Sequence, residues 1–204
     1  MSYQLLWKGF ILGLSIAAPV GPIGLLCIRR TLAGGRWAGF ISGLGAATAD
    51  GIYGCIAGFG LTFLADLLIG QRIWLGLAGG LFLLALGWRT FQSRPALEAA
   101  APKFGGAYLS TFGLTLTNPM TILSFTAIFA GMQTPVVTEA VRPGLLVLGV
   151  FLGSSCWWLM LSGVVGTFRR QLNGAALKWI NRVSGMVIAG FGMAALYAVI
   201  SGLV

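Results

Sequence analysis

Apolar residues in this chain run in long blocks separated by short polar clusters. There is neither the two-residue alternation of a half-buried strand nor the narrow stripe of a surface helix. Six blocks emerge, at about Leu5–Ile28, Trp37–Leu64, Ile73–Phe91, Ala107–Met132, Gly144–Gly166 and Val183–Val204. Each is close to the ~20 residues needed to cross a bilayer core, and the second is long enough to tilt. The pattern predicts an all-α integral membrane protein with six transmembrane helices, in a single transmembrane domain over 1–204. Only short connections remain between the blocks, so no soluble domain is expected. The first block lacks a basic leader and is interrupted by Pro19 and Pro22, unlike a cleaved signal peptide. Continuous apolar runs exclude a membrane β-barrel.

Composition sharpens this. Hydrophobic residues make up 57% of the 204 positions and charged ones 8%, against about 25% charged in an average soluble domain. Mean hydropathy is +0.92. The formal net charge of +9 reads as loops obeying the positive-inside bias, not as a nucleic-acid surface. Histidine is absent, which removes imidazole metal ligands and every His-based catalytic arrangement. The only acids are Asp50, Asp66, Glu98 and Glu139, too few for a carboxylate metal cage. No cofactor, no resident metal and no enzymatic activity are expected. Cys27, Cys55 and Cys156 lie in apolar runs without a CxxC pair and read as small buried side chains.

Basic residues set an orientation. The first, third and fifth connections and adjoining helix ends hold Arg29, Arg30, Arg36, Arg89, Arg94, Lys103, Arg169, Arg170, Lys178 and Arg182, whereas the opposite side holds Lys8, Arg72 and Arg142. Both termini are therefore expected outside the cytoplasm. Trp7, Trp37, Trp74 and Trp88 stand at block ends, the place of an aromatic belt. From Arg169 to Ile180, Leu172, Ala176, Trp179 and Ile180 recur at helical spacing, which predicts a short interfacial helix on anionic lipid.

An internal echo links the first and fourth blocks. Gly21-Pro22 precedes Ile-Gly-Leu-Leu, and Asn118-Pro119 precedes Met-Thr-Ile-Leu. Aligning the prolines also aligns Gly9 with Gly106, Leu12 with Leu109 and Leu26 with Leu123. Three blocks per half make the halves, about 1–98 and 99–204, enter the membrane from opposite sides. Two inverted three-helix repeats with interrupted helices are the mark of a secondary transporter. Proline breaks a helix interior yet is comfortable at the first position of a new helix, after a Gly or Asn cap. Both elements therefore predict half-helices starting near the midplane, their free N–H groups facing a cavity or ligand.

Asp50 lies in the middle of the second block, where a carboxylate is costly and functional by default. Gly39, Gly43, Ala47 and Gly51 recur every four residues beside it, a stripe permitting close helix approach and, in principle, a homodimer. Trp157 and Trp158 fall inside their block instead of at a belt, and Trp157 could offer an aromatic face to a cation.

The run from Pro19 to Leu32, PVGPIGLLCIRRTL, resembles the opening of the lysine-exporter (LysE) family of amino-acid translocators. So do GLGAATADGIYG around Asp50, LTNPMTILSF around Asn118, and the later GVFLGSSCWW and INRVSG. The resemblance spans nearly the whole chain. It implies a six-segment bacterial inner-membrane exporter of basic or neutral amino acids, with family signatures on Pro19, Gly21 and Pro22, on Asp50, and on Asn118 and Pro119. Val20 separates Pro19 from Gly21 where the family often reads Pro-Gly-Pro. Superfamily relatives that carry electrons use paired cysteines in the first and fourth segments, and the fourth segment here has none.

A free amino acid carries a carboxylate, suited to half-helix N-termini, and an ammonium, suited to Asp50. Proton and ammonium binding at Asp50 would compete, giving proton-coupled antiport, with uniport driven by membrane potential as the runner-up. The expected partners are thus an amino-acid substrate, contacting Pro19, Gly21, Pro22, Asp50, Asn118, Pro119 and Trp157, and the lipid bilayer. The alternatives are export of divalent metal ions and a non-transporting structural membrane subunit.

Overall fold

The structure, a computed structural model, describes residues 2–19, 21–58, 70–92, 104–118, 121–122, 124–125, 141–168 and 174–201. Among them it is all-helical. Seven helices follow in chain order: α1 Ser2–Ala17, α2 Pro22–Gly34, α3 Arg36–Gly58, α4 Arg72–Gln92, α5 Phe104–Leu116, α6 Val141–Phe168 and α7 Gly174–Ile200. Three of them contain spans long and apolar enough to cross a membrane: Ile73–Gln92, Pro143–Phe168 and Lys178–Ile200. A fourth such span arises if Tyr3–Ala17 and Pro22–Gly34, bent by 81° at their junction, are taken together. Trp7, Trp37, Trp74 and Trp88 are all exposed, as a belt of indoles at the headgroup level requires.

Glycine governs how closely the helices approach. A Cβ at Gly13 of α1 would stand 2.8 Å from the Val150 Cα of α6, and one at Gly153 of α6 would stand 2.9 Å from the Leu14 N of α1. Residue numbers rise together along this seam, so α1 and α6 run parallel. Between α4 and α7 the order reverses: a Cβ at Gly80 meets Leu196 and one at Gly87 meets Ala189. Those two are antiparallel. So are α3 and α6, where Gly54 faces Val150, Gly43 faces Trp158 and Gly39 faces Ser162. α3 and α5 are parallel, with Gly45 against Tyr108 and Tyr53 bonded to Leu116. With little hydrophobic drive between helices inside lipid, such close backbone approach supplies much of the cohesion.

Both interruptions read from the sequence are present as far as the structure describes them. α1 ends at Ala17, and α2 begins at Pro22, with Gly21 capping it in an extended conformation. α5 ends at Leu116, and the N–H groups of Thr121 and Ile122 then donate to the Asn118 carbonyl at 3.0 and 3.2 Å, the pattern of a restarting helix. Pro119 lies outside the described residues, as do Asp66, Glu98 and Glu139. A single residue, Gly35, turns α2 into α3; its φ of 87° lies where only glycine sits without strain.

Two expectations need correction. The short interfacial helix over Arg169–Ile180 is not a separate element. Residues 169–173 lie outside the described set, and from Gly174 onward the chain is one continuous helix to Ile200. Within that helix Trp179 is exposed and Ile180 packs beside Leu32 and Val165. Arg29 and Arg30 are not loop charges at a helix end: both sit within α2, half-buried and bonded across the bundle.

Candidate functional site

Asp50 occupies the middle of α3 and is 3% exposed. Its Oδ2 accepts a 2.7 Å hydrogen bond from Ser154 Oγ of α6. Ser154 Oγ in turn accepts a 3.1 Å bond from the Trp158 indole N–H, one turn further along the same helix. Gly51 and Gly54 flank Asp50 against Phe151 and Val150, and Gly43 leaves room for the Trp158 ring. The small-residue stripe thus does two things: it seats α6 against α3, and it admits an indole where a larger residue would push it away. A hydroxyl that donates to a carboxylate at this depth lowers the cost of burying it by about 1.5–3 kcal/mol.

The two helix breaks lie on either side of the Asp50 level along α3. Thr31 of α2 packs on Gly39 of α3, and Arg30 reaches Ser42. Following both helices back from that pair at about 1.5 Å per residue brings Pro22 level with Thr48, less than a turn from Asp50. On the other side, Tyr53, one turn beyond Asp50, donates its hydroxyl to the Leu116 carbonyl at 2.7 Å. Leu116 is the last residue of its helix, so Tyr53 ties α3 to α5 where α5 stops. Tyr53 also stacks on Phe125 of the restarted segment at 5.2 Å, within a cluster containing Ile122 and Val150. Gly79 of α4 closes the same point, its Cα facing Thr117.

Of the residues singled out in the sequence, Gly21, Pro22, Asp50 and Asn118 gather within about a turn of one level. Pro22 is buried, and a Cβ at Gly21 would meet nothing within 4 Å. Pro19 is exposed, in the bend between α1 and α2. Trp157 packs at the margin of the core around Ala17, Ile23 and Leu26, whereas its neighbour Trp158 joins the Asp50 network. Sequence reading did not single out Tyr53. The signal was its spacing of three from Asp50, which puts both side chains near one face.

Arg30 forms a second polar centre nearer the other end of α2. Its Nη1 donates to Ser42 Oγ at 3.1 Å, the Ala107 carbonyl at 2.8 Å and Thr111 Oγ1 at 2.7 Å, and its Nη2 donates to Ser110 Oγ at 2.6 Å. Arg29 points the opposite way, to Asn181 of α7 at 3.3 Å and Thr90 of α4 at 2.9 Å. Adjacent arginines thus tie α2 to four helices. Among the described residues every one of these acceptors is neutral.

Asp50, the one acid among the described residues and held by a hydroxyl, can take up a proton or an ammonium group. The chain has no histidine, and no three Cys, Asp or Glu side chains gather among the described residues. Comparison with known proteins agrees with a transport fold. The family model described as LysE type translocator matches residues 14–199. A Bacillus subtilis (strain 168) protein named for amino acid efflux, YcgF, is 30% identical over 192 residues, covering 89% of this chain and 90% of its own length. The Escherichia coli (strain K12) membrane protein YahN is 28% identical, covering 83% and 79%, and the threonine efflux protein of the same strain is 24% identical, covering 74% and 77%. No solved structure matches the chain. With its apolar helices and a match over most of its length, the chain belongs to the LysE-type translocator family, multi-pass transporters of the bacterial inner membrane.

Proposed function

We propose that this protein exports amino acids, basic or neutral, from the cytoplasm. In this reading Asp50 takes the substrate ammonium and exchanges it for a proton. The amide groups that open α2 at Gly21-Pro22 and the segment after Asn118-Pro119 receive the carboxylate. The observation that carries the reading is the buried Asp50–Ser154–Trp158 chain between the levels of the two helix breaks. It sets a negative charge close to the opening turn of α2, an arrangement that suits the opposed charges of a zwitterion. The names of the relatives, amino acid efflux and threonine efflux, support the same class.

The accompanying architecture is six crossings in two inverted three-helix halves, with α1–α2 as the first crossing, α3 and α4 the next two, α5 with the restarted segment the fourth, and α6 and α7 the last. Helix directions support it: first and fifth parallel, second and fourth parallel, second and fifth antiparallel, third and sixth antiparallel. Strict alternation across a bilayer requires each of these.

Counterflow in proteoliposomes tests the function. Internal unlabelled amino acids should drive uptake of the same labelled one, with cadmium, manganese and small organic acids as comparison solutes. Esterifying the α-carboxylate of the best substrate should abolish exchange, and Asp50→Asn should abolish transport while leaving folding and expression intact. Uptake of metal with no amino acid carried overturns the proposal.

A further inference from the structure

The Arg30 guanidinium is bonded only to neutral oxygens among the described residues. A positive charge set between membrane helices without a carboxylate beside it is expensive. Hydroxyl and carbonyl acceptors satisfy N–H groups without neutralising the charge. The donor set is also incompletely used: Nη1 and Nη2 make all the bonds, and Nε donates to none of the described residues. Nε and Nη2 form the edge that grips a carboxylate with two parallel N–H bonds. Nη2 spends one hydrogen on Ser110 and Nε spends none, so a bidentate grip on that edge costs at most one bond to a neutral hydroxyl.

The surroundings leave room. Arg30 is half-buried, and Ser110 sits in the second turn of α5, behind Phe104, Gly105 and Gly106, which are exposed. Added Cβ atoms at Gly105 and Gly106 would meet nothing within 4 Å. By the charge count along the sequence this is the cytoplasmic end, where an exporter first meets its cargo. From Arg30 to Pro22 is eight residues of α2, about 12 Å, so the guanidinium and the amide groups opening α2 lie in succession along one helix.

We propose that Arg30 is the receptor for the carboxylate of the incoming solute, taking it in exchange for Ser110 and passing it along α2 toward the break at Gly21-Pro22. This deepens the amino-acid export reading and rests on it, adding a specificity residue for the α-carboxylate. Ser42, Ser110, Thr111 and the Ala107 carbonyl hold the guanidinium in wait. Binding a carboxylate there loosens the tie between α2 and α5, so solute uptake and opening of this end are one event.

The test uses the full-length protein in proteoliposomes and the amino acid carried best by the wild type, with its methyl ester as competitor. The wild type should prefer acid to ester by at least tenfold (judged by half-inhibiting concentrations). Arg30→Gln should cut that preference at least threefold while the amides that open α2 keep the rest of it, and Arg30→Lys, which keeps the charge but loses the paired grip, should fall between. Ser110→Ala covers the case in which Arg30→Gln fails to fold. Freeing Nη2 should lower the KM for the acid about threefold and leave inhibition by the ester unchanged. A purely structural tie would move acid and ester alike. A folded Arg30→Gln protein with the wild-type preference, or Ser110→Ala shifting both compounds equally, overturns the proposal. If the wild type exchanges no amino acid, the export reading itself has failed; if it exchanges them but the variants keep the wild-type preference, only the role of Arg30 has.

Discussion

Ser154 is the most informative single position in the molecule, because one oxygen serves both neighbours. Its hydroxyl donates to Asp50 at 2.7 Å and accepts from the Trp158 indole at 3.1 Å, and the residue is fully buried. Ser154→Ala deletes that oxygen and leaves a carboxyl oxygen and an indole N–H without it. A buried polar group left unpaired costs about 1–3 kcal/mol, whereas interhelical hydrogen bonds in membranes average nearer 0.6 kcal/mol because the separated helices find other partners. Two groups affected together give a net loss of about 2 kcal/mol. At about 2–4 °C per kcal/mol for a chain of this size, the midpoint in detergent should fall by about 4–8 °C. The same free energy, if it acts on the substrate-bound state, is about 30-fold in exchange. The assay is a double-mutant cycle read by melting, with Ser154→Ala, Asp50→Asn and the pair, and counterflow of Ser154→Ala normalised to folded protein. Because Ser154 and Asp50 share one contact, the melting losses of the two single variants should sum to more than the loss in the pair. A Ser154→Ala protein that melts within 1 °C of wild type, or melting losses that simply add in the pair, would refute this account of the network.

Three other outcomes follow from the structure. Gly43→Ala should cost about 1–3 kcal/mol by overpacking, since its Cβ would press on the Trp158 ring; Gly163→Ala, with nothing within 4 Å, should melt within about 0.5 kcal/mol of wild type. Tyr53→Phe removes the bond to the Leu116 carbonyl and should lower the midpoint by about 2–4 °C, with slower exchange but unchanged acid-over-ester preference. Reporter fusions after Leu32 and after Pro102 should behave as cytoplasmic and one at Val204 as external; a cytoplasmic C-terminus would imply an odd number of crossings and end the inverted-repeat reading.

Much of the fold was legible because lipid makes apolar length the dominant signal. The block Ile73–Phe91 became Arg72–Gln92 almost unchanged, and Gly21-Pro22 opens a helix as its chemistry dictates. What escaped depends on helix phase and on distant partners. Trp157 and Trp158 are neighbours in sequence but ~100° apart around the helix, so composition could not tell which faces Asp50. Arg29 and Arg30 looked like ordinary positive-inside charges, since the groups that hold them lie 61 to 152 residues away for Arg29 and 12 to 81 away for Arg30. No local pattern announces such a partner.

The placement of the polar groups bears on how a repeated scaffold could move cargo in one direction. Exchanging the two halves in the inverted-repeat reading maps the α1–α6 seam onto the α5–α3 seam and returns the α3–α6 and α4–α7 seams to themselves, and each of these pairs packs together. The backbone framework therefore suits two states related by the exchange, as alternating access requires. The chemistry does not follow that symmetry. With Pro22 aligned on Pro119, the position equivalent to Asp50 is Val147, the one equivalent to Ser154 is Ala57, and the one equivalent to Arg30 is Ala127. Asp50, Arg29 and Arg30 thus all belong to the first half, while the second half supplies hydroxyls, an amide and an indole to them. A scaffold whose two states are similar by packing becomes unequal through charge, because a carboxylate and a guanidinium meet water and solute differently in each state. That inequality is where the proposed outward preference can reside, and on the export reading it ties direction of transport to the residues assigned to the cargo.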